Sequence, residues 1–214
     1  MSYNGENDIK TVLCFGDSNT HGDRPDAPGR FSWRERWTGL LQQRLGDSYH
    51  VIEEGLNGRT TVWEDEIEGD KSGKKQLPSC IMSHAPVDVL VLMLGTNDFK
   101  RKFSLTPTDI AWAIEALIKV ALTTDNEREQ PPQILLAAPT YLGEKTFLGE
   151  IIGNRKEDSL RLGGLLREVA ERYHIGFINI AEVAGPSELD GMHFDAEGHR
   201  KIAAAMEKAI RAMI

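Results

Sequence analysis

Short, almost unbroken apolar runs recur along this chain, and each stops abruptly in small, polar residues. Residues 11–15 run into Gly16-Asp17-Ser18, residues 89–94 into Gly95-Thr96-Asn97-Asp98, and Val51-Ile52 into Glu53-Glu54-Gly55-Leu56-Asn57-Gly58. A strand buried on both faces must be apolar at successive positions, so these runs predict central strands of a parallel sheet. Residues 133–138, closed by Pro139, and 176–180 continue the series. Helical spacing fills the gaps. Trp37, Leu40, Leu41 and Leu45 mark a helix over 34–45 that stops at Gly46. Thr106 is an N-cap with Pro107 at the first helical position, opening a helix to about Leu122. Residues 156–173 and 195–213 follow, the last with Ile202, Ala205, Met206, Ala209, Ile210 and Met213 on one face. Strands alternating with helices imply an α/β fold of three layers, a parallel sheet covered on both faces.

The chain of 214 residues suits a single domain, 1–214, with 1–8 a flexible N-terminus. The net charge of −8, with no basic block longer than Lys74-Lys75, argues against nucleic-acid binding. No apolar stretch approaches the ~20 residues of a membrane span. The polar, acidic start at Met1-Ser2-Tyr3-Asn4-Gly5-Glu6 is the opposite of a signal peptide, so the expected location is cytoplasmic. Cys14 lies within the first strand and reads as a small buried hydrophobe. Cys80, after Pro78-Ser79, is placed near a helix start, where a thiol is somewhat more reactive. Two unpaired thiols in a reducing compartment are the expectation, and zinc-type spacing is absent.

Ligands of open α/β sheets bind just beyond the carboxyl ends of the strands, and Ser18 falls there. Gly-Asp-Ser is also an ordinary strand-to-turn sequence. A serine nucleophile needs an adjacent base, with a carboxylate to fix that base's tautomer. Asp190-Gly191-Met192-His193 holds both groups three residues apart, although Asp-Gly is a common turn and Asp195 is a plausible helix N-cap. If the sheet is parallel, the loops after the strands gather at one edge beside Ser18. The Ser18 N–H, the Gly58 N–H and the Asn97 side-chain amide would then be donors for a tetrahedral oxyanion. Each of these is equally at home in a turn; their shared place after strands favours the site.

With these segments in view the chain resembles the SGNH hydrolases, also called GDSL esterases. Gly16-Asp17-Ser18, Gly58, Gly95-Thr96-Asn97-Asp98 and Asp190-Gly191-Met192-His193 match the family's blocks in order, and the resemblance spans about residues 10–205. Val51-Ile52-Glu53-Glu54-Gly55-Leu56, Leu77-Pro78-Ser79-Cys80 and Met93-Leu94-Gly95-Thr96 look like its arylesterase and acyltransferase branch. The resemblance implies a flavodoxin-like fold with a five-stranded sheet in the order 2-1-3-4-5, a choice the doubly wound rule supports. It implies a serine esterase of short-chain acyl or aryl esters with Ser18, His193 and Asp190 catalytic. Ser18, Gly58 and Asn97 would form the oxyanion hole, with no cofactor or metal. Its close branch includes oligomers, so a homo-oligomer is expected. Asn19 stands where the family name implies leucine, which puts only local packing in question.

Acyl transfer to alcohols, deacetylation of sugars and thioester hydrolysis would use the same machinery. A nucleotide- or phosphate-binding module is the alternative of another class, but the glycine loops it needs are missing and it leaves the Asp190/His193 pair unexplained. His21, three residues from Ser18, is a rival base without a well-spaced carboxylate partner. His50, His84, His174 and His199 fall at element ends or on helix faces, where exposure is the default. Asp17 is expected to hold the nucleophile turn by accepting backbone N–H groups. Residues 64–76 read as a solvated, charged loop. The apolar segment 140–153 walls the pocket, covers a subunit contact, or packs on its own core. Trp33, Trp63 and Phe99 line an acyl pocket or belong to the core.

Overall fold

The computed structural model describes residues 9–144 and 149–214. In chain order the elements are β1 (Lys10–Gly16), α1 (Ser18–His21), α2 (Trp37–Leu45), β2 (Tyr49–Gly55), α3 (Gly73–Ser83), β3 (Val89–Met93), α4 (Pro107–Thr123), β4 (Gln133–Ala138), α5 (Gly149–Ile152), α6 (Lys156–Tyr173), β5 (Gly176–Asn179) and α7 (Ala196–Arg211). The strands form one parallel sheet in the order β2-β1-β3-β4-β5. This is the topology expected from the apolar runs and the resemblance together.

Alternate strand residues feed two cores. Leu13, Phe15, Leu90, Leu92, Ile134 and Leu136 pack on α3, α4 and α6 through Leu77, Ile81, Ile110, Ile114, Leu162 and Leu166. Val12, Cys14, Val89, Val91, Met93 and Leu135 face the other way, onto Trp37 and Leu41 of α2 and Ile202, Met206 and Ile210 of α7. Full burial of a Leu or Ile side chain stabilises by about 1.5–3 kcal/mol, so each sheet face anchors its helices strongly. The register aligns Gly16 of β1 with Gly55 of β2 and with Met93 of β3, so three strands end level with one another. That level is where the functional loops leave.

Several boundaries differ from the sequence reading, each for a local reason. Arg36 is extended, so α2 starts at Trp37 rather than at 34. The Asn179 side chain accepts the Ala181 N–H at 3.2 Å, ending β5 one residue early in a tight turn. Thr106 and Asp109 close a reciprocal capping box on α4, and Asp195 caps α7 through the Gly198 N–H.

The segment 64–76 is not simply solvated. Its last four residues belong to α3, and Asp65 is fully buried among Lys100, Lys102 and backbone donors. Cys80 lies toward the end of α3, not at its start, so the helix N-terminus gives it no activation. Burial and the nearby Glu54 push its thiol up to about 11. Cys14 is buried, with its thiol pushed up in the same way. Among the described residues no helix is long and apolar enough to cross a membrane. The expectation for residues 1–8 lies outside the described residues.

Candidate active site

Gly16 ends β1 where there is no room for a side chain: a Cβ would stand 2.8 Å from the Met93 carbonyl oxygen and closer still to Thr20. Any other residue would push β1 from β3. Asp17 then caps the single turn α1, its carboxylate accepting the Asn19 N–H at 2.9 Å, which places Ser18 first in the turn. This is the holding role foreseen for Asp17. Burial pushes its carboxyl up to about 6 against that hydrogen bond.

The turn Asp190-Gly191-Met192-His193 approaches from the far end of the chain. It is closed by Gly191 N–H to Ser187 O at 2.8 Å and Ser187 N–H to His193 O at 2.7 Å. Asp190 Oδ1 accepts the Met192 and His193 N–H groups at 2.9 and 3.0 Å. Its Oδ2 lies 2.6 Å from His193 Nδ1, and His193 Nε2 lies 2.9 Å from Ser18 Oγ. Burial pushes the Asp190 carboxyl up, but the hydrogen bonds from His193 and the two backbone N–H groups outweigh it and leave it low. Burial pulls His193 down, while the Asp190 hydrogen bond and charge, helped by Asp23 and Asp17, lift it above the ordinary imidazole value. The result is a buried serine–imidazole–carboxylate row whose outer acid is fixed from both sides.

Asn19 does more than fill space. Its Nδ2 donates to Met192 O at 3.3 Å, joining the serine turn to the histidine turn, and its backbone carbonyl accepts the Trp37 Nε1–H at 3.0 Å. Gly58 is in the left-handed region (φ 79°), where any other residue is strained, and a Cβ there would also displace the Glu68 carboxylate. Asn97 Nδ2 donates to Arg59 O at 3.1 Å and lies 3.5 Å from Asp17 Oδ2. His21 forms no contact with Ser18 that would make it a base; burial, then Arg30, lowers its pKa.

Sequence reasoning passed over three residues here. Arg59, buried, donates to the carbonyls of Gly16 (2.8 Å) and Glu54 and to Gln76 Oε1 (2.8 Å), with its guanidinium 4.0 Å over the Phe15 ring. It ties the Gly58 loop to the end of β1. Asp98, buried and raised to about 6 chiefly by that burial, accepts the Thr61 N–H at 3.1 Å and the Thr61 hydroxyl. Lys100, also buried, pairs with Asp65 and Glu68. Together these bonds clamp the loop after β2 to the loop after β3. The one signal in the sequence was position: Arg59 directly follows Gly58, and Asp98 and Lys100 follow Asn97 within three residues.

Other expectations were redirected. His199 is completely buried on α7, where its Nδ1 accepts the Trp37 N–H at 3.2 Å between the edges of Phe31 and Phe194. His50 and His174 are exposed, and His84 meets Glu54 at 2.9 Å. Phe99 is core, and Trp33 is 43% exposed. Trp63 lines a separate hollow with Val62, Lys74 and Trp112, so none of the three aromatics lines the cavity at His193. In segment 140–153, Leu142 and Ile152 pack into the core, while Tyr141, Gly143 and Glu144 border a cavity of about 390 Å3 that reaches Gly191. Phe147 and Leu148 lie outside the described residues. No group of His, Cys, Asp and Glu among the described residues could hold a metal ion.

The fold and the level at which these groups meet correspond to a known class. The GDSL-like lipase/acylhydrolase family model matches residues 14–201, and the chain belongs to that family, a class of ester-hydrolysing enzymes. Among solved structures, an aryl esterase from M. smegmatis is 33% identical, with a TM-score of 0.91 over 96% of this chain and 100% of its own. A carbohydrate acetylesterase from Sinorhizobium meliloti, Est24, is 34% identical at TM-score 0.91 over 96% and 100%. A carbohydrate acetylesterase family member from the same organism is 37% identical at TM-score 0.92 over 96% and 99%. None of the curated proteins compared matches the chain.

Proposed function

We propose that this protein is a serine esterase that hydrolyses short-chain acyl or aryl esters through an acyl-enzyme on Ser18. The hydrogen-bonded row Ser18–His193–Asp190 carries the reading. His193 Nε2 takes the Ser18 proton as Oγ attacks the ester carbonyl, and Asp190 holds the proton on Nδ1 and stabilises the imidazolium. The tetrahedral oxyanion lies among the Ser18 N–H, the Gly58 N–H and the Asn97 amide. One Asn97 N–H is held by Arg59 O. The other has only the long 3.5 Å contact to Asp17, and it is the one that turns to the oxyanion. His193 then protonates the leaving alcohol, and water, or a second alcohol in acyl transfer, releases the acyl group. No step calls for a cofactor.

The M. smegmatis aryl esterase supports aryl esters as substrates. The two S. meliloti structures support a second reading on the same machinery, removal of acetyl groups from sugars. A fluorophosphonate probe labels only an activated serine. Ser18→Ala is expected to abolish labelling and to cost several orders of magnitude in turnover; a variant retaining more than about a tenth of wild-type kcat removes Ser18 as nucleophile.

A further inference from the structure

In ester hydrolysis the leaving alcohol takes its proton from His193 Nε2, so it lies on the His193 side of Ser18, away from Gly58 and Asn97. On that side a cavity of about 450 Å3 is lined by His193, Asp190, Leu189 and the strap 23–29. The charges around it are unequally engaged. Arg24 donates to both oxygens of Asp26 at 3.0 and 2.9 Å, a closed bidentate pair. Arg30 and Arg36, beyond the strap, both bind Glu53 at 2.6 Å. The half-buried Asp23 carboxylate has no hydrogen bond or ion pair with any described residue. Its backbone is fixed all the same: its N–H donates to Ser18 O at 3.0 Å, and it forms a backbone bridge with Arg30. After Asp190, it is the acid whose charge acts most on the His193 ring.

We infer that Asp23 is a specificity-determining residue. Its unpaired carboxylate, pinned on the leaving-group side of the cavity, accepts ammonium or hydroxyl groups of the leaving alcohol and rejects alcohols that carry negative charge. The inference rests on the hydrolase reading above. At this partly solvated position one unit charge some 6 Å from another changes a rate by about tenfold, in opposite directions for a cation and an anion.

Acetyl esters that share the acyl group isolate the effect: phenyl acetate, 3-acetoxyphenyl-trimethylammonium and 3-acetoxybenzoate. For each ester, kcat/KM of the variant is divided by that of the wild type, which cancels the intrinsic reactivity of the leaving group. The cation-to-anion ratio is expected to fall about a hundredfold in Asp23→Asn, the product of the two opposite tenfold changes, and further in Asp23→Lys. Both changes should shrink in high salt, which screens an exposed charge. A ratio unmoved in both variants overturns the assignment. Ser18→Ala, assayed alongside, separates the two failures. Full activity in that variant removes the hydrolase reading itself, whereas its inactivity with an unmoved ratio removes Asp23 alone.

Discussion

Asp190→Asn keeps the shape of the side chain and changes only its charge and the direction of its hydrogen bonds. In the native protein Oδ1 serves two backbone donors, Met192 and His193, and Oδ2 serves His193 Nδ1. A carboxamide has one oxygen, so only one side keeps an acceptor. Turning the NH2 toward the two N–H groups would lose two buried hydrogen bonds, roughly 2–6 kcal/mol. The oxygen therefore stays with the backbone, and the NH2 faces Nδ1. His193 must then leave Nδ1 bare and carry its proton on Nε2, where Ser18 needs an acceptor. We expect kcat to fall about 10^3- to 10^4-fold, roughly 4–5.5 kcal/mol of barrier, with KM changed only a few-fold. The acid limb of the pH profile should also move down, because Asp190 is what lifts His193 above its ordinary value. Activity disappears as pH falls through the His193 pKa, and without the carboxylate that pKa is lower. Steady-state kinetics across pH, with nitrogen NMR of the imidazole, tests each link. A variant that keeps more than about a tenth of wild-type kcat, or that keeps its proton on Nδ1, refutes the reasoning.

Asn97→Ala should lower kcat by about 10^2 to 10^3 with KM nearly unchanged, as for a donor aimed at the oxyanion. A joint loss in kcat, KM and melting temperature would make it a turn residue instead. Arg59→Lys cannot reach Gly16 O, Glu54 O and Gln76 Oε1 together or stack on Phe15. A loss of about 2 kcal/mol, some 4–8 °C in Tm, and about tenfold in kcat is expected; an unchanged melting curve would contradict the clamp. His199 is neutral in the fold, with burial pulling its pKa down to about 4. Its contribution is complete above about pH 6.5, the pKa of the unfolded chain, and is lost as pH falls toward 4. Urea unfolding at pH 7.5 and pH 5 should differ by on the order of 2 kcal/mol more in wild type than in His199→Leu; equal differences would exclude it.

The sheet was legible because strands buried on both faces leave no choice of residue: β1, β3 and β4 are apolar nearly throughout. The start of α3 was not, because Gly73-Lys74-Lys75-Gln76 is polar and Pro78 sits inside the helix. The Ser18, His193 and Asp190 pairing was readable from strand-end position and short spacing. The clamp around it was not, since Arg59, Asp65, Asp98 and Lys100 are charged residues that composition assigns to solvent. Asp65 and Lys100 are buried as an ion pair, whereas Asp98 and Arg59 are buried with their hydrogen bonds met by Thr61 and by Gly16 O, Glu54 O and Gln76. His199 was missed for a weaker reason. Ile202, Met206 and Ile210 follow it at helical spacing, so the periodicity already placed it on the buried face of α7.

The strap that forms one wall of the His193 cavity is closed at its own base. Phe31 N–H reaches Gly22 O at 2.8 Å, the Asp23–Arg30 bridge follows, and Arg24 N–H meets Gly29 O at 3.0 Å. The segment is thus a loop closed on itself and tied to the frame at its base by the Asp23 N–H on Ser18 O and by Arg30 on Glu53, and doubling its length beyond that base would cost only about 0.6 kcal/mol of closure entropy. Such a part is interchangeable. A strap taken from another member of the family could be grafted between Asp23 and Arg30, which stay as its anchors, while the sheet register that sets the chemistry stays as it is. New substrate ranges can then arise by exchanging one loop, whether in evolution or at the bench.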